Sequence, residues 1–240
     1  MQQVFYHLPL SIGDEILFDA NQEHHFRVLR VKKEIIRIVY NNDAYFGEVS
    51  FTNNHYQAKV IEKDDSVKEL SSNITLYAAI IDKVPYELVL QKATELGTSS
   101  IVPLETSRCV KKIDQAKWNR IKERWQSIIL ASAQQCKRNV VPELNDPIKL
   151  PQLAQCTDDI KLVAYENKTT TSISLSSVYK PNSSIAVVIG PEGGFTEEEI
   201  KQLNDYGFQC VTFGSRILRT ETSSIYALSV LSELDLRQGQ

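Results

Sequence analysis

Hydrophobic periodicity changes once along the chain, near residue 73. Before it, apolar residues come in short alternating runs. A strand is predicted near Val4, Phe5 and Tyr6, then a helix over 21–31 with Asn21 as its N-cap and Phe26 and Leu29 on one side. Three further strands over 35–40, 44–51 and 55–61 are separated by Asn-Asn-Asp and Asn-Asn turns. The polar, unpatterned stretch 62–73 reads as a linker. Beyond it the pattern alternates strand and helix. Strands are expected over 74–81, 100–104, 160–165, 185–189 and 208–213. Helices are expected over 85–96, 114–135, 197–206 and 221–236. Pro85 suits a first helical turn and Gly97 a C-terminal stop. Trp118, Ile121, Trp125, Ile128 and Ile129 recur at helical spacing, which assigns both tryptophans to a core. The expectation is a small β-rich unit of barrel type over residues 1–66 and an α/β domain over 73–240, its mainly parallel sheet covered on both faces.

Composition adds bounds. The 240 residues are enough for two packed units, and their usage is that of an ordinary soluble protein. No apolar run has the length of a membrane span and the N-terminus lacks a signal pattern, so a cytoplasmic protein without a membrane partner is expected. Cys109, Cys136, Cys156 and Cys210 are scattered, as reduced cysteines are. The net charge of −3 excludes a polycation, so any RNA surface has to be local. Between Glu105 and Arg138 nine basic residues face three acids, and a second basic cluster spans 24–33. Such stripes suit a polyanion, though solvated helix faces would look the same.

Two turns stand out. Gly190, Pro191, Glu192, Gly193, Gly194 and Phe195 follow the apolar run 185–189; Phe213, Gly214, Ser215, Arg216, Ile217, Leu218, Arg219, Thr220 and Glu221 follow another. Both would lie outside the carboxyl ends of parallel strands, where open α/β sheets bind ligands. Phosphate is disfavoured: Thr196 and Glu199 form a capping box, and Glu197, Glu198, Glu199 and Glu192 crowd the helix end with carboxylates. Neither a Gly-Lys-Ser/Thr run nor G-x-G-x-x-G is present. A neutral or cationic ligand remains. His7, His24, His25 and His55 all fall in the first unit, which excludes a Ser-His-Asp or Cys-His arrangement in the second and argues against a metal site.

These two runs together resemble the SPOUT superfamily of methyltransferases, and within it the bacterial family that methylates N3 of a uridine in 16S ribosomal RNA. The stretches at 25–30, 91–97 and 135–138 extend the resemblance over nearly the whole chain. It implies S-adenosylmethionine as cofactor, a trefoil knot near the C-terminus, a PUA-like RNA-docking domain at the N-terminus and a homodimer. The implied cofactor contacts are Tyr165 and Glu166 after one strand; Gly190, Pro191, Glu192, Gly193 and Gly194; and Phe213, Gly214, Ile217 and Leu218, the last two walling the adenine. Arg216, Arg219 and Arg138 are candidates for stabilising charge on the uracil, with Glu221 as proton acceptor or arginine orienter. Helix-dipole stabilisation alone would also explain Glu221. For RNA binding the expectation falls on Arg27, Arg30, Lys32, Arg108, Lys111 and Arg138. The chain departs from the family pattern at Gln3, Gln134, Lys137 and the pair Ser223-Ser224. Ribose 2′-O-methylation and a non-catalytic ribosome-assembly factor stay open as alternatives.

Overall fold

The computed structural model describes residues 1–28, 30–165 and 173–238, which form two compact units. The first comprises Met1–Glu69 with Ala133–Val140, and the second Leu70–Ser132 with Val141–Gln240.

In the first unit, strands β1 (Gln3–Phe5), β2 (Glu15–Leu17), β3 (Glu34–Tyr40), β4 (Asp43–Thr52) and β5 (His55–Asp64) form one sheet in the order β1-β3-β4-β5-β2. The β3–β4 and β4–β5 hairpins are tight because Asn41, Asn42, Asn53 and Asn54 all take positive φ, as a two-residue primed turn demands. Helix α1 (Ala20–Val28) packs Phe26 edge-on against Phe18. Its N-cap is Asp19, not Asn21: the Asp19 carboxylate accepts from the Gln22 N–H at 2.8 Å, and the Gln22 side-chain oxygen accepts from the Asp19 N–H at 3.1 Å. Leu29 lies outside the described residues. Strand β2 was missed because three residues carry too little period to register.

Grouping of 133–140 with the first unit corrects the expectation of one uninterrupted domain from 73 onward. The cause is a buried arginine. Arg37, 1% exposed, donates to Asp64 at 2.6 Å, to Gln3 at 2.8 Å and to the Lys137 carbonyl at 2.9 Å, and it also reaches Asn139. Gln3 in turn donates to the Arg138 carbonyl at 2.7 Å, so a residue that departs from the family pattern is fully used. Periodicity sees none of this, since the partners lie far apart in sequence.

The second unit is built on a seven-stranded sheet in which every recorded pairing is parallel. Its strands are β6 (Asn73–Ala79), β7 (Ser100–Glu105), β8 (Glu143–Leu144), β9 (Ile148–Lys149), β10 (Ile160–Ala164), β11 (Ser184–Ile189) and β12 (Gln209–Val211). They run in the order β12-β10-β11-β6-β7-β8, with β9 also on β7. Alternation places Ile74, Leu76, Ile185, Val187 and Leu162 on one face and Val163, Ala186 and Val188 on the other. The first face packs on α2 (Lys83–Glu95), α3 (Gln115–Cys136) and α6 (Thr220–Gln238), where Trp118 and Trp125 are core residues as expected. The second packs on α5 (Glu197–Asp205) and the 3-10 turn Leu150–Gln155. A four-residue helix α4 (Leu175–Val178), β8 and β9 are too short to be legible in the pattern. The Asp235 carboxylate near the end of α6 accepts from Ser71, Ser72 and the Tyr179 hydroxyl, pinning that helix to the entry of β6.

Helices α2 and α3 end in the same 6→1 closure, Thr98 N–H to Ala93 and Arg138 N–H to Ala133. At the left-handed position α2 has Gly97, whereas α3 has Lys137 at φ +67°. This is the position where the family pattern has glycine or asparagine. We expect Lys137→Gly to raise stability by about 0.5–1 kcal/mol, the left-handed strain outweighing the entropy glycine adds to the unfolded chain. Urea denaturation checks it, and a lower midpoint would refute the strain.

Asp64 supplies a pH test. Burial works to raise its pKa, but the Ser66 hydroxyl and the Arg37 guanidinium outweigh that and hold it at about 2. A carboxyl depressed on folding stabilises above its unfolded pKa of about 3.9, and that stability is lost as pH falls through the folded value. The stability gap between the wild type and Asp64→Asn should therefore be full at pH 6 and close between about pH 4 and 2. A gap independent of pH would exclude the ion pair as its source.

Candidate functional site

The carboxyl ends of β10, β11 and β12 converge on a cleft of about 200 Å³. Tyr165 follows β10, the turn from Gly190 to Phe195 follows β11, and Phe213, Ile217 and Leu218 follow β12. The reason is topological: these are neighbouring parallel strands, so their connections leave the sheet on the same side.

The glycine turn approaches its surroundings closely. A Cβ on Gly190 would stand 2.9 Å from the Phe195 ring, and Gly194 sits at φ +64°. Three groups hold the turn from outside. The Thr220 hydroxyl, at the start of α6, donates to the Gly190 carbonyl at 2.9 Å. The Arg108 guanidinium donates to the carbonyls of Gly193 at 2.8 Å and Phe195 at 3.3 Å. Glu199, buried, accepts from the Thr196 N–H at 2.9 Å within its capping box and from the Ser107 N–H at 2.7 Å.

The cleft wall is largely apolar: Ile189, Val211, Phe213 and Leu218, with Ile217 90% exposed at the mouth. Of the eleven expected cofactor contacts, Tyr165, Gly190, Pro191, Glu192, Gly194, Phe213, Ile217 and Leu218 line it. Gly193 and Gly214 do not, and Glu166 lies outside the described residues. Gly193 acts through its carbonyl on Arg108; Gly214 takes φ +99° and shapes the turn. Sequence reasoning left out Phe195, Thr220 and Ser223, which also line the cleft. The latter two are three apart on the first turn of α6, a spacing that puts them on one face.

The expected crowd of carboxylates reduces to one. Among the acids of this stretch only Glu192 lines the cleft. Glu199 is consumed by backbone N–H groups, and Glu197 and Glu198 are exposed away from the lining. The Glu198 carboxyl is held below its ordinary range by its own backbone N–H and then by Thr196, as befits a helix N-terminus. Among the described residues no lysine or arginine lines the cleft, so a phosphate would meet a net negative wall there.

The proposed chemical residues stand at the rim. Arg219 provides the carbonyl that caps α6, accepting from the Ser223 N–H at 2.8 Å, and its side chain is exposed. Arg216 is exposed and Glu221 half-buried in the first turn of α6. None of the three lines the cleft, but Arg219 stands between two lining residues, Leu218 and Thr220. Among the described residues neither arginine has an ion-pair partner.

The RNA-binding expectations fare unevenly. Arg138 is corrected: it is 4% exposed and donates twice to Glu69, at 2.9 and 2.6 Å. A buried, paired guanidinium cannot serve a phosphate or a uracil without breaking that pair. Arg108 is an exposed brace for the glycine turn, and Arg27 is shared between Glu23 and the Asn54 carbonyl. Arg30 and Lys32 are exposed, and Lys111 is exposed within 3.4 Å of Asp82. No group of three or more metal-ligating side chains occurs among the described residues.

A parallel α/β unit with a cleft outside the carboxyl ends of its strands is the architecture of a ligand-binding domain. Residues 68–232 match the family described as RNA methyltransferase domain. The ribosomal RNA small subunit methyltransferase E of Mesomycoplasma hyopneumoniae is 35% identical over 208 residues, covering 86% of this chain and 88% of that one. Its Bacillus subtilis counterpart is 36% identical over 189 residues, covering 75% and 73%. The crystal structure of the Neisseria gonorrhoeae enzyme of that name, bound to S-adenosylmethionine, superposes with a TM-score of 0.88 at 30% identity over 98% of both chains. A Legionella pneumophila methyltransferase in complex with the same cofactor gives 0.85 at 30% identity over 96% of both. The chain belongs to the ribosomal RNA small subunit methyltransferase E family.

The bond between the two turns can be tested alone. Thr220→Val keeps the shape but removes the donor to Gly190, so S-adenosylmethionine should bind about fivefold more weakly, near 1 kcal/mol, by calorimetric titration. Unchanged affinity would mean that the turns hold together without it.

Proposed function

We propose that this chain transfers the methyl group of S-adenosylmethionine to N3 of a uridine in small-subunit ribosomal RNA. The observation that carries the reading is the cleft itself, where three strand ends present backbone and apolar walls with Glu192 as the one carboxylate among the described residues. The fit to the cofactor is chemical. The faces of Ile217 and Leu218 suit an adenine, the exposed peptide groups of the glycine turn suit polar edges, and among the described residues no lining cation competes with a sulfonium. When bound, the cofactor supplies an electrophilic methyl carbon for in-line displacement.

The chain's own contribution is position and charge. Thr220, Arg108 and Glu199 hold the turn rigid, which fixes where a nucleophile can stand. Negative charge develops on the uracil oxygens as N3 loses its proton. Arg219 and Arg216, unpaired and beside the cleft mouth, can meet it with forked N–H donors. Glu221, two residues from Arg219, is the group proposed to take the proton or to orient that arginine.

The rest of the reading rests on the resemblance. By that resemblance the chain near its C-terminus is threaded as a trefoil knot. The first unit, Met1–Glu69 with Ala133–Val140, is a PUA-like barrel that contacts RNA through Arg30 and Lys32. Two copies pair as a homodimer, and the enzyme works in the cytoplasm, where its substrate is made. Ribose methylation is the weaker reading, because the R-I-L-R-T-E-T run favours base chemistry.

Arg219→Ala should leave the heat of S-adenosylmethionine binding unchanged and lower methyl transfer at least about tenfold, a barrier rise of ~1.4 kcal/mol. Normal turnover would remove Arg219 from the chemistry. Arg30→Ala should flatten the salt dependence of RNA binding by about one phosphate contact. Nucleoside mass mapping of ribosomal RNA from a strain lacking the chain decides the target: loss of a ribose-methylated nucleoside instead of 3-methyluridine would overturn the assignment.

A further inference from the structure

A second cleft of the same unit, about 270 Å³, opens beyond the carboxyl ends of β6 and β7. Its walls are apolar at Ile80, Ile113 and Ile121, and its rim carries Lys83, Lys111 and Lys117 against the single acid Asp82. Nearby carboxylates do not cancel this charge. Lys111 lies 3.4 Å from Asp82 and shares it with solvent. Lys83 is 3.9 Å from Glu87, whose two oxygens already accept from Arg124 at 2.6 and 2.8 Å. The Lys117 ammonium donates at 3.3 Å to a neutral acceptor, the Lys112 carbonyl. An apolar floor under a cationic rim matches one nucleotide, with the base face on isoleucines and the phosphates at ammonium groups.

Two features tie this cleft to the first. Strands β11 and β6 are hydrogen-bonded neighbours in register Ile189 to Ala78, so the two clefts open at the same end of adjacent strands, about 4.8 Å apart in the sheet. One loop, residues 106–114, serves both. Its Ser107 and Arg108 hold the glycine turn through Glu199, Gly193 and Phe195, while its Lys111 and Ile113 line the basic cleft. A strand of nucleic acid lying over one is therefore carried past the other.

We infer that the basic cleft seats a phosphate-bearing nucleotide of the substrate RNA adjacent to the nucleotide presented to the cofactor. This rests on the methyltransferase reading and adds to it a named subsite for the flanking nucleotide.

The test uses the full chain carrying Lys83→Ala and Lys117→Ala together, with Lys201→Ala, an exposed lysine on α5, as control. Calorimetry with S-adenosylmethionine should show no change in any variant, which also reports that each is folded. Binding to a short uridine-bearing oligoribonucleotide should lose about 1.4 from the slope of log K against log salt in the double variant and nothing in the control. The KM for this RNA should rise about tenfold with kcat nearly constant, and Lys→Arg at both positions should restore the slope. An unaltered slope, or an equal loss in the control, overturns the subsite, as does a wild type that binds cofactor but shows no salt-dependent RNA binding. Displacement of the RNA from the wild type but not the double variant by polyglutamate at matched charge would reassign the cleft to an acidic protein partner. A wild type giving no heat with S-adenosylmethionine would defeat the methyltransferase reading itself.

Discussion

The hydrogen bond from the Thr220 hydroxyl to the Gly190 carbonyl is the contact on which the site depends. It joins the turn after β11 to the start of α6, two segments that bring the glycine run and the arginine run to one place. A turn with Gly190, Gly193 and Gly194 has little stiffness of its own, since glycine loses more freedom on ordering than any other residue. Rigidity is supplied from outside, by Thr220 on one side and by Arg108 and the Glu199–Ser107 bond on the other. Each external bond contributes on the order of 1 kcal/mol, which suffices to select one conformation of a glycine turn.

This arrangement gives several charged residues a role different from the one their chemistry first suggests. Arg108 is basic, exposed and part of a positive stretch, yet its N–H groups are spent on main-chain carbonyls. Glu199 stands where a helix end would be expected to repel anions, yet both its oxygens are occupied by backbone donors. Arg138 is enclosed with Glu69. Outside these pairs, among the described residues, stand Arg216 and Arg219 beside the first cleft, Arg30 and Lys32 on the first unit, and Lys117 at the second cleft. Counting charges along a sequence overstates the surface available to RNA, because ion pairs form between residues whose separation in the chain is not visible in a window.

The same separation explains the segment 133–140. Its first residues, 133–136, are the last turn of α3, and so it reads as part of the α/β domain. Arg37 on β3 and Gln3 on β1 capture it for the first unit through the Lys137 and Arg138 carbonyls. The left-handed Lys137 lets the chain turn into that contact. Gln3 and Lys137, which look like drift when set against the family pattern, are here two members of one hydrogen-bonded group.

By itself the sequence determined the change of period at the linker, the alternating strands and helices of the second unit, the Asn-Asn hairpins, the capping box at Thr196 and the two runs that build the cleft. All of these depend on interactions within a few residues, or on burial patterns that repeat along an element. Tertiary structure alone decided which strand ends are neighbours, that Thr220 and Ser223 line the cleft, that Arg138 is buried, and that three lysines from α2, the 106–114 loop and α3 surround a second cleft. Those outcomes depend on side chains meeting across tens of residues, where which groups pair and which stay free is set by the packing of the sheet and its helices.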